Sequence, residues 1–419
     1  MKKTTTTLFA ALLICSVLIG AVDAQDLTIT NARILDGAGG VIEQGTVRVS
    51  DGRIAEVVAG RSAVRSGRTI NARGRTVMPG FVDAHRHIIA GDPVEWLSDR
   101  AAAQMQGFLE AGFTTVLSAI DAPQLLDARR LIEAGEMAGP RIYAAAFIPL
   151  AGAVPGASSP AGDPARFDMS REGRSGAAAP AIPRAATMQM IEAAAAAGYD
   201  YLKNVIITTP GGPEVDTLKF VVAEGAKRGL PTITHAVTVR DTLAAVEAGP
   251  DVLVHTPHIG RLEEDSAAVA RIVEAGIPMT STLAVFAPHF DEEGTPLFRD
   301  ALPFPWYTLS SAGQGAVNAR LLWNAGISYG YGTDTSWEPK VSLADELRAL
   351  SVVFSPADIV TILTRNAARS TLKESEFGTL EVGKLADIVI LNGNPLDDIA
   401  NLLNVTTTIK GGEVLFDAK

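Results

Sequence analysis

A glycine that closes a helical run and is followed almost at once by an apolar strand recurs along this 419-residue chain, and no other feature constrains the fold as much. It occurs at Gly112 before Phe113 to Ile120, at Gly198 before Tyr199 to Ile207, and at Gly229 before Leu230 to Val237. Gly249, Gly276 and Gly326 repeat it. The residue after a helix often takes a left-handed backbone conformation, which glycine adopts at little steric cost. Strands such as Thr114-Thr115-Val116-Leu117 and Asp251-Val252-Leu253-Val254 are too evenly apolar to keep a wet face. They suit a parallel sheet covered by helices.

Strands are expected at about 77–85, 114–120, 141–147, 201–207, 231–237, 252–257, 278–283 and 327–333. Alternation of these strands with helices predicts an α/β chain whose residues 76–376 form a (β/α)8 TIM barrel. In such a barrel, reactive residues belong at the C-terminal ends of the strands. The competing fold is a doubly wound open sheet, but no Gly-x-Gly-x-x-Gly follows an early strand to support it. Residues 25–75 and 377–419 alternate in the manner of half-buried strands, with turns such as Asp51-Gly52. The two chain ends are expected to pair into a small β-sandwich domain beside the barrel.

Residues 1–24 read as a secretory signal peptide. Lys2 and Lys3 supply the positive start, Leu8 to Val22 the apolar stretch and Val22-Asp23-Ala24 the cleavage site. The apolar stretch is shorter than the roughly 20 residues that span a bilayer, so no stable membrane anchor is expected. A secreted or periplasmic address follows. The only cysteine, Cys15, lies inside this segment, so the exported protein would form no disulfide and any metal would rest on histidine, carboxylate or similar ligands. A net charge of −11 argues against nucleic acid as partner.

His85 and His87, two apart at the end of the first barrel strand, project to the same side while Arg86 turns away. Two neighbouring histidines at a strand end can simply be hydrogen-bonded structural residues. Their company favours a metal site. Lys203 follows Gly198 by five positions, His235 follows Gly229 by six, His255 follows Gly249 by six and Asp334 follows Gly326 by eight. These are equivalent places in successive repeats, and four of the chain's six histidines occupy strand ends. An ammonium cannot ligate a metal, so Lys203 needs its own account. Burial lowers a lysine pKa, and the neutral amine can take up carbon dioxide to give an anionic carbamate. A lysine paired with a carboxylate at the barrel mouth is the alternative.

These residues resemble the amidohydrolase superfamily of metal-dependent hydrolases, particularly its imidazolonepropionase-like and Xaa-Pro dipeptidase-like branch. The resemblance runs through Val77 to His87, Thr234-His235-Ala236, Ala248-Gly249-Pro250-Asp251, Gly332-Thr333-Asp334 and Gly378 to Asp387. It implies a centre of two divalent metal ions, usually zinc. His85, His87 and Asp334 would hold the more buried ion, His235 and His255 the other, and carbamylated Lys203 would bridge them. A hydroxide shared by the ions would attack the scissile carbonyl. Asp334 would be the catalytic residue, as general base and then general acid. A domain built from both chain ends is also implied.

Deaminase relatives place a glutamate shortly after the third histidine, whereas Ala236, Val237 and Thr238 follow His235. That departure, with Lys203 present, favours cleavage of a C–N amide bond in a dipeptide or N-acyl amino acid. A lactonase or phosphotriesterase on the same site is the first rival reading, and a non-enzymatic binding or assembly protein the second.

Candidate substrate residues are His258, with a loop histidine satisfied by solvent or backbone as the alternative, His289 in a loop near the mouth, Trp337, and Thr208 to Gly212, which reads either as a turn in which Thr209 and Gly211 present backbone donors or as a plain turn. The Gly-, Ala- and Pro-rich loop 148–186 carries Arg166, Arg171, Arg174 and Arg184 and reads either as a lid that meets a substrate carboxylate or as a solvated loop. Phe286, Phe290, Phe298, Phe304, Trp306 and Tyr307 read as an apolar pocket wall, with a homo-oligomer contact as the alternative.

Overall fold

The computed structural model describes residues 26–64, 67–152, 178–286 and 308–418. Two eight-stranded sheets dominate it. The first is built from both chain ends. It contains β1 (Leu27–Leu35), β2 (Val41–Ser50), β3 (Arg53–Ala59), β4 (Arg68–Asn71) and β5 (Thr76–Pro79) from the beginning of the chain. From its end come β14 (Ile388–Leu391), β15 (Val405–Lys410) and β16 (Glu413–Asp417). The order is β16-β15-β14-β5-β1-β2-β3, with β4 paired parallel to β1. Alternate residues such as Leu27 and Ile29 of β1, Val47 and Val49 of β2, and Ile388 and Ile390 of β14 form an apolar cluster of its own.

The second sheet is parallel throughout and runs in chain order. Its strands are β6 (Phe81–Arg86), β7 (Phe113–Ser118), β8 (Arg141–Phe147), β9 (Tyr201–Val205), β10 (Thr232–His235), β11 (Val252–Val254), β12 (Met279–Thr280) and β13 (Tyr329–Gly330). Each is followed by a helix, from Ala101–Glu110 after β6 to Pro339–Leu350 after β13. Beyond β13 the backbone returns to the first strand: Ala84 N–H donates to the Tyr331 carbonyl, and Asp334 N–H to that of His85, at 3.0 and 2.8 Å. The sheet thus nearly closes into the expected (β/α)8 barrel. Leu117, Tyr201, Ile233, Val252 and Val254 fill its interior.

All six repeat glycines take positive φ, from 64° at Gly276 to 101° at Gly326. Gly198, Gly249 and Gly276 are left-handed caps of the helices before them. Helix and strand therefore meet without a clash between Cβ and carbonyl.

Two expectations need correction. The strand expected over 77–85 is two strands, because the chain breaks at Gly80 and passes from β5 in the terminal sheet to β6 in the barrel. A Cβ at Gly80 would lie 2.3 Å from Thr114 Oγ1, so only a glycine fits where the chain crosses β7. The last three barrel strands are also shorter than expected. β11 ends where His255 turns left-handed at φ 81°, and left-handed Thr282 and Asp334, at 47° and 55°, follow the ends of β12 and β13.

Candidate metal centre

The barrel gathers His85, His87, His235, His255 and Asp334 at the C-terminal ends of its strands. Asp334 is the hub. Its Oδ1 lies 3.1 Å from His85 Nε2 and 3.0 Å from His87 Nε2, and its Oδ2 is 3.8 Å from His255 Nε2. The ring centroids of His85 and His255 are 4.8 Å apart, and those of His235 and His255 are 4.4 Å apart. Ligand atoms of His85, His255 and Asp334 lie within 4.8 Å of one another, as a shared cation requires.

Neutral imidazoles and an ionised carboxylate are what a divalent ion binds, and the environment favours both. Burial, reinforced by Lys203, lowers the pKa of His85 to about 4 and that of His235 to about 3. Burial and His235 push His255 down as well. Burial would raise Asp334, but His255 and His85 outweigh it and hold the carboxyl well below the usual range. His87 differs: burial opposes its charge, yet Asp334 and Asp121 raise its pKa.

Lys203, on β9, is 2% exposed. Its Nζ has no hydrogen-bond partner among the described residues, and burial brings its pKa down to about 7 despite the pull of Asp334. The alternative of a lysine paired with a carboxylate finds no ion pair among the described residues. A buried amine left without a partner is costly as an ammonium, and the donor set around it fits metal ions.

Second-layer groups set the ligands. His87 Nδ1 faces the Ile120 carbonyl at 2.9 Å; a carbonyl only accepts, so Nδ1 carries a proton. His255 Nδ1 meets Thr282 Oγ1 at 2.7 Å. Asp121 accepts from Ser118 Oγ and from the N–H groups of Ile88 and Ile89, pinning the chain just past His87. Arg86 is fully buried under the Phe108 ring, 4.9 Å from its centroid. It donates to Thr333 Oγ1 at 3.1 Å and to the Trp337 carbonyl. Asp83 accepts from Thr333 Oγ1 at 2.7 Å, so β6 and the Asp334 segment are locked together.

The Amidohydrolase family signature matches residues 76–415. The chain belongs to the amidohydrolase family. Among curated relatives, the imidazolonepropionase of Symbiobacterium thermophilum is 25% identical over 403 residues, covering 86% of either chain. The dihydroorotase of Anaeromyxobacter dehalogenans strain 2CP-C is 38% identical over 90 residues, 22% of this chain and 20% of that protein. That chain and other dihydroorotases are thus matched over about a fifth of their length. Among solved structures, a Xaa-Pro dipeptidase with bound methionine superposes with a TM-score of 0.73 at 20% identity, covering 93% of this chain and 99% of that one. A putative prolidase from Bifidobacterium longum gives 0.72 at 24%, covering 93% and 94%.

The remaining candidates of this amidohydrolase lie at several depths. His258 is buried rather than on a solvated loop; its ring stacks 4.0 Å from Phe286, and a Cβ on Gly315 would reach its Nδ1. Thr209 Oγ1 donates to Glu214 at 2.6 Å and accepts from Ala179 N–H at 3.0 Å. Gly211, at φ 68°, forms an exposed turn. Trp337 is half-buried beyond Asp334. Arg184, expected in a loop, begins the helix Arg184–Ala197 and stacks over Phe220. Phe286 sits 5.6 Å from the His255 ring, which puts one member of the aromatic wall at the centre. His289, Arg166, Arg171, Arg174 and the other aromatics of that wall lie outside the described residues, as does the signal segment. Among the described residues no helix is long and apolar enough to cross a membrane.

Sequence reasoning missed Asp121, Thr282 and Glu346. Asp121 and Thr282 follow strand ends and could have been found by the same count from the repeat glycines. Glu346 sits mid-helix and gave no such signal.

Proposed function

We propose that this chain is an exported, metal-dependent amidohydrolase that cleaves a C–N amide bond of a small substrate of dipeptide or N-acyl amino acid type. The observation that carries the reading is Lys203, a buried amine without a hydrogen-bond partner among the described residues, set among four histidines and Asp334. Prolidase-like structural neighbours and the imidazolonepropionase relative support hydrolysis at carbon–nitrogen bonds. The absence of a glutamate directly after His235 favours an amide over ring deamination.

His85, His87 and Asp334 would hold one divalent ion, His235 and His255 a second, and Lys203 as its carbamate would bridge them; zinc suits this nitrogen and oxygen donor set. Bound there, the ions would acidify water and polarise the scissile carbonyl. The chain's own residues handle the proton. Asp334 Oδ2, farther from its nearest imidazole than Oδ1 is from His85 and His87, takes the proton from the attacking water. Asp334 then delivers it to the amide nitrogen, which leaves poorly unless protonated. Phe286 beside His255 keeps one side of the centre apolar.

The deciding experiment compares turnover of dipeptides, N-acyl amino acids, lactones and a phosphotriester by the purified protein. Amide hydrolysis should dominate. Activity confined to lactones or to the phosphotriester would replace this reading with the rival esterase.

A further inference from the structure

Glu346 is fully buried on the helix Pro339–Leu350, and among the described residues no cation pairs with it. Its two oxygens are instead spent on the segment after β12: Oε1 accepts from Leu283 N–H at 2.9 Å and Oε2 from Ala284 N–H at 2.8 Å, and the Ser281 hydroxyl bonds the same carboxyl. A buried carboxyl without a counter-charge is expensive, so a fold that keeps one uses it for something besides packing. The two N–H groups it grips follow directly after Thr282.

Thr282 is the point of contact with the centre. It holds φ at 47°, a costly value for a β-branched residue, and its N–H donates to the Gly332 carbonyl at 3.0 Å. In that conformation its Oγ1 meets His255 Nδ1 at 2.7 Å. An imidazole that binds a cation through Nε2 must carry its proton on Nδ1, and a hydroxyl facing Nδ1 can accept that proton.

We infer that Glu346 is a positioning residue: by gripping the backbone after β12 it holds Thr282 left-handed, and Thr282 in turn presents Oγ1 as an acceptor for a proton on His255 Nδ1 and leaves Nε2 for the metal centre. This rests on the metal-centre reading above. Glu346 touches neither substrate nor metal ligand and acts through the loop alone.

The test measures Zn2+ affinity of the full chain in bicarbonate buffer by competition with a chromogenic chelator. Spectra of 15N-histidine protein report the His255 tautomer alongside. Thr282→Val should weaken Zn2+ binding about 10- to 100-fold, the range for loss of an outer partner of a ligating histidine, and Thr282→Ser should restore it. Glu346→Gln replaces one acceptor with an N–H2 donor, and Glu346→Asp is one methylene too short to grip both N–H groups. Each should weaken Zn2+ binding about tenfold and populate the other tautomer. If Glu346 works through Thr282, the double variant Thr282→Val/Glu346→Gln binds no more weakly than Thr282→Val alone. Wild-type affinity and tautomer in both Glu346 variants would overturn the inference, as would losses that multiply in the double variant. If Glu346→Gln does not fold, Glu346→Asp carries the same comparison. A wild-type chain that takes up no Zn2+ would instead sink the metal-centre reading itself, so the two failures are distinct.

Discussion

A buried ammonium without a hydrogen-bond partner is an unstable way to keep a lysine, and among the described residues Lys203 Nζ is in that position. Its pKa of about 7 means that the amine is neutral above that pH and charged below it. Carbon dioxide adds only to the neutral amine, with loss of a proton. At fixed dissolved carbon dioxide, the metal-free chain should therefore gain a lysine carbamate as pH rises through about 7, far below the ordinary lysine range. A 13C spectrum with labelled carbon dioxide checks this: the signal should be weak at pH 6, strong at pH 8 and absent in Lys203→Ala. The sequence shows Lys203 at the correct offset from Gly198, but its lack of a partner depends on what β8, β10 and the Asp334 segment bring near it. No local pattern records that.

At the scale of elements, the alternation of helix, glycine and strand carried the barrel, because a left-handed cap is a local demand that the local residue must meet. Gly198 has φ 83° and only Arg129 Nη2 within 4 Å of a Cβ, at 3.7 Å. Gly198→Ala should thus cost only the backbone strain, about 1 kcal/mol. Gly80→Ala should cost more, since its Cβ would meet Thr114 Oγ1 and Cγ2 at 2.3 and 2.4 Å. Urea midpoints of the two variants test the ordering. The same contrast explains the misread first strand. Nothing near Gly80 in sequence signals Thr114, so Thr76 to Arg86 reads as one apolar run although it belongs to two sheets. The early ends of β11, β12 and β13 were hidden for a similar reason: the residue types do not announce the left-handed backbone at His255, Thr282 and Asp334, where N–H groups bond across to neighbouring barrel strands.

Across the whole molecule, the terminal sheet braces the N-terminal side of the barrel. Arg141 at the start of β8 donates to Asp387 just before β14 at 2.7 Å, and Asp387 also accepts from Gly411 N–H at 2.8 Å. Lys410 Nζ donates to the Gly139 carbonyl, and Thr408 Oγ1 to that of Leu109, both at 2.6 Å. Asp387→Asn removes the charge opposite a largely buried arginine and should lower stability by about 2 kcal/mol, the scale of a hydrogen bond to a charged group. The loss should appear as one earlier unfolding transition seen by both fluorescence and circular dichroism. Two separate transitions would mean that barrel and terminal sheet unfold independently.

The central claim is a two-ion centre bridged through Lys203, and counting ions tests it most directly. The wild-type chain and Lys203→Ala would be stripped, reconstituted with Zn2+ and bicarbonate, freed of excess metal and analysed for zinc per chain. The account predicts two ions in the wild type, with loss of one ion and most turnover in the variant. No bound zinc in the wild type, or full occupancy and near-normal turnover in Lys203→Ala, would contradict it.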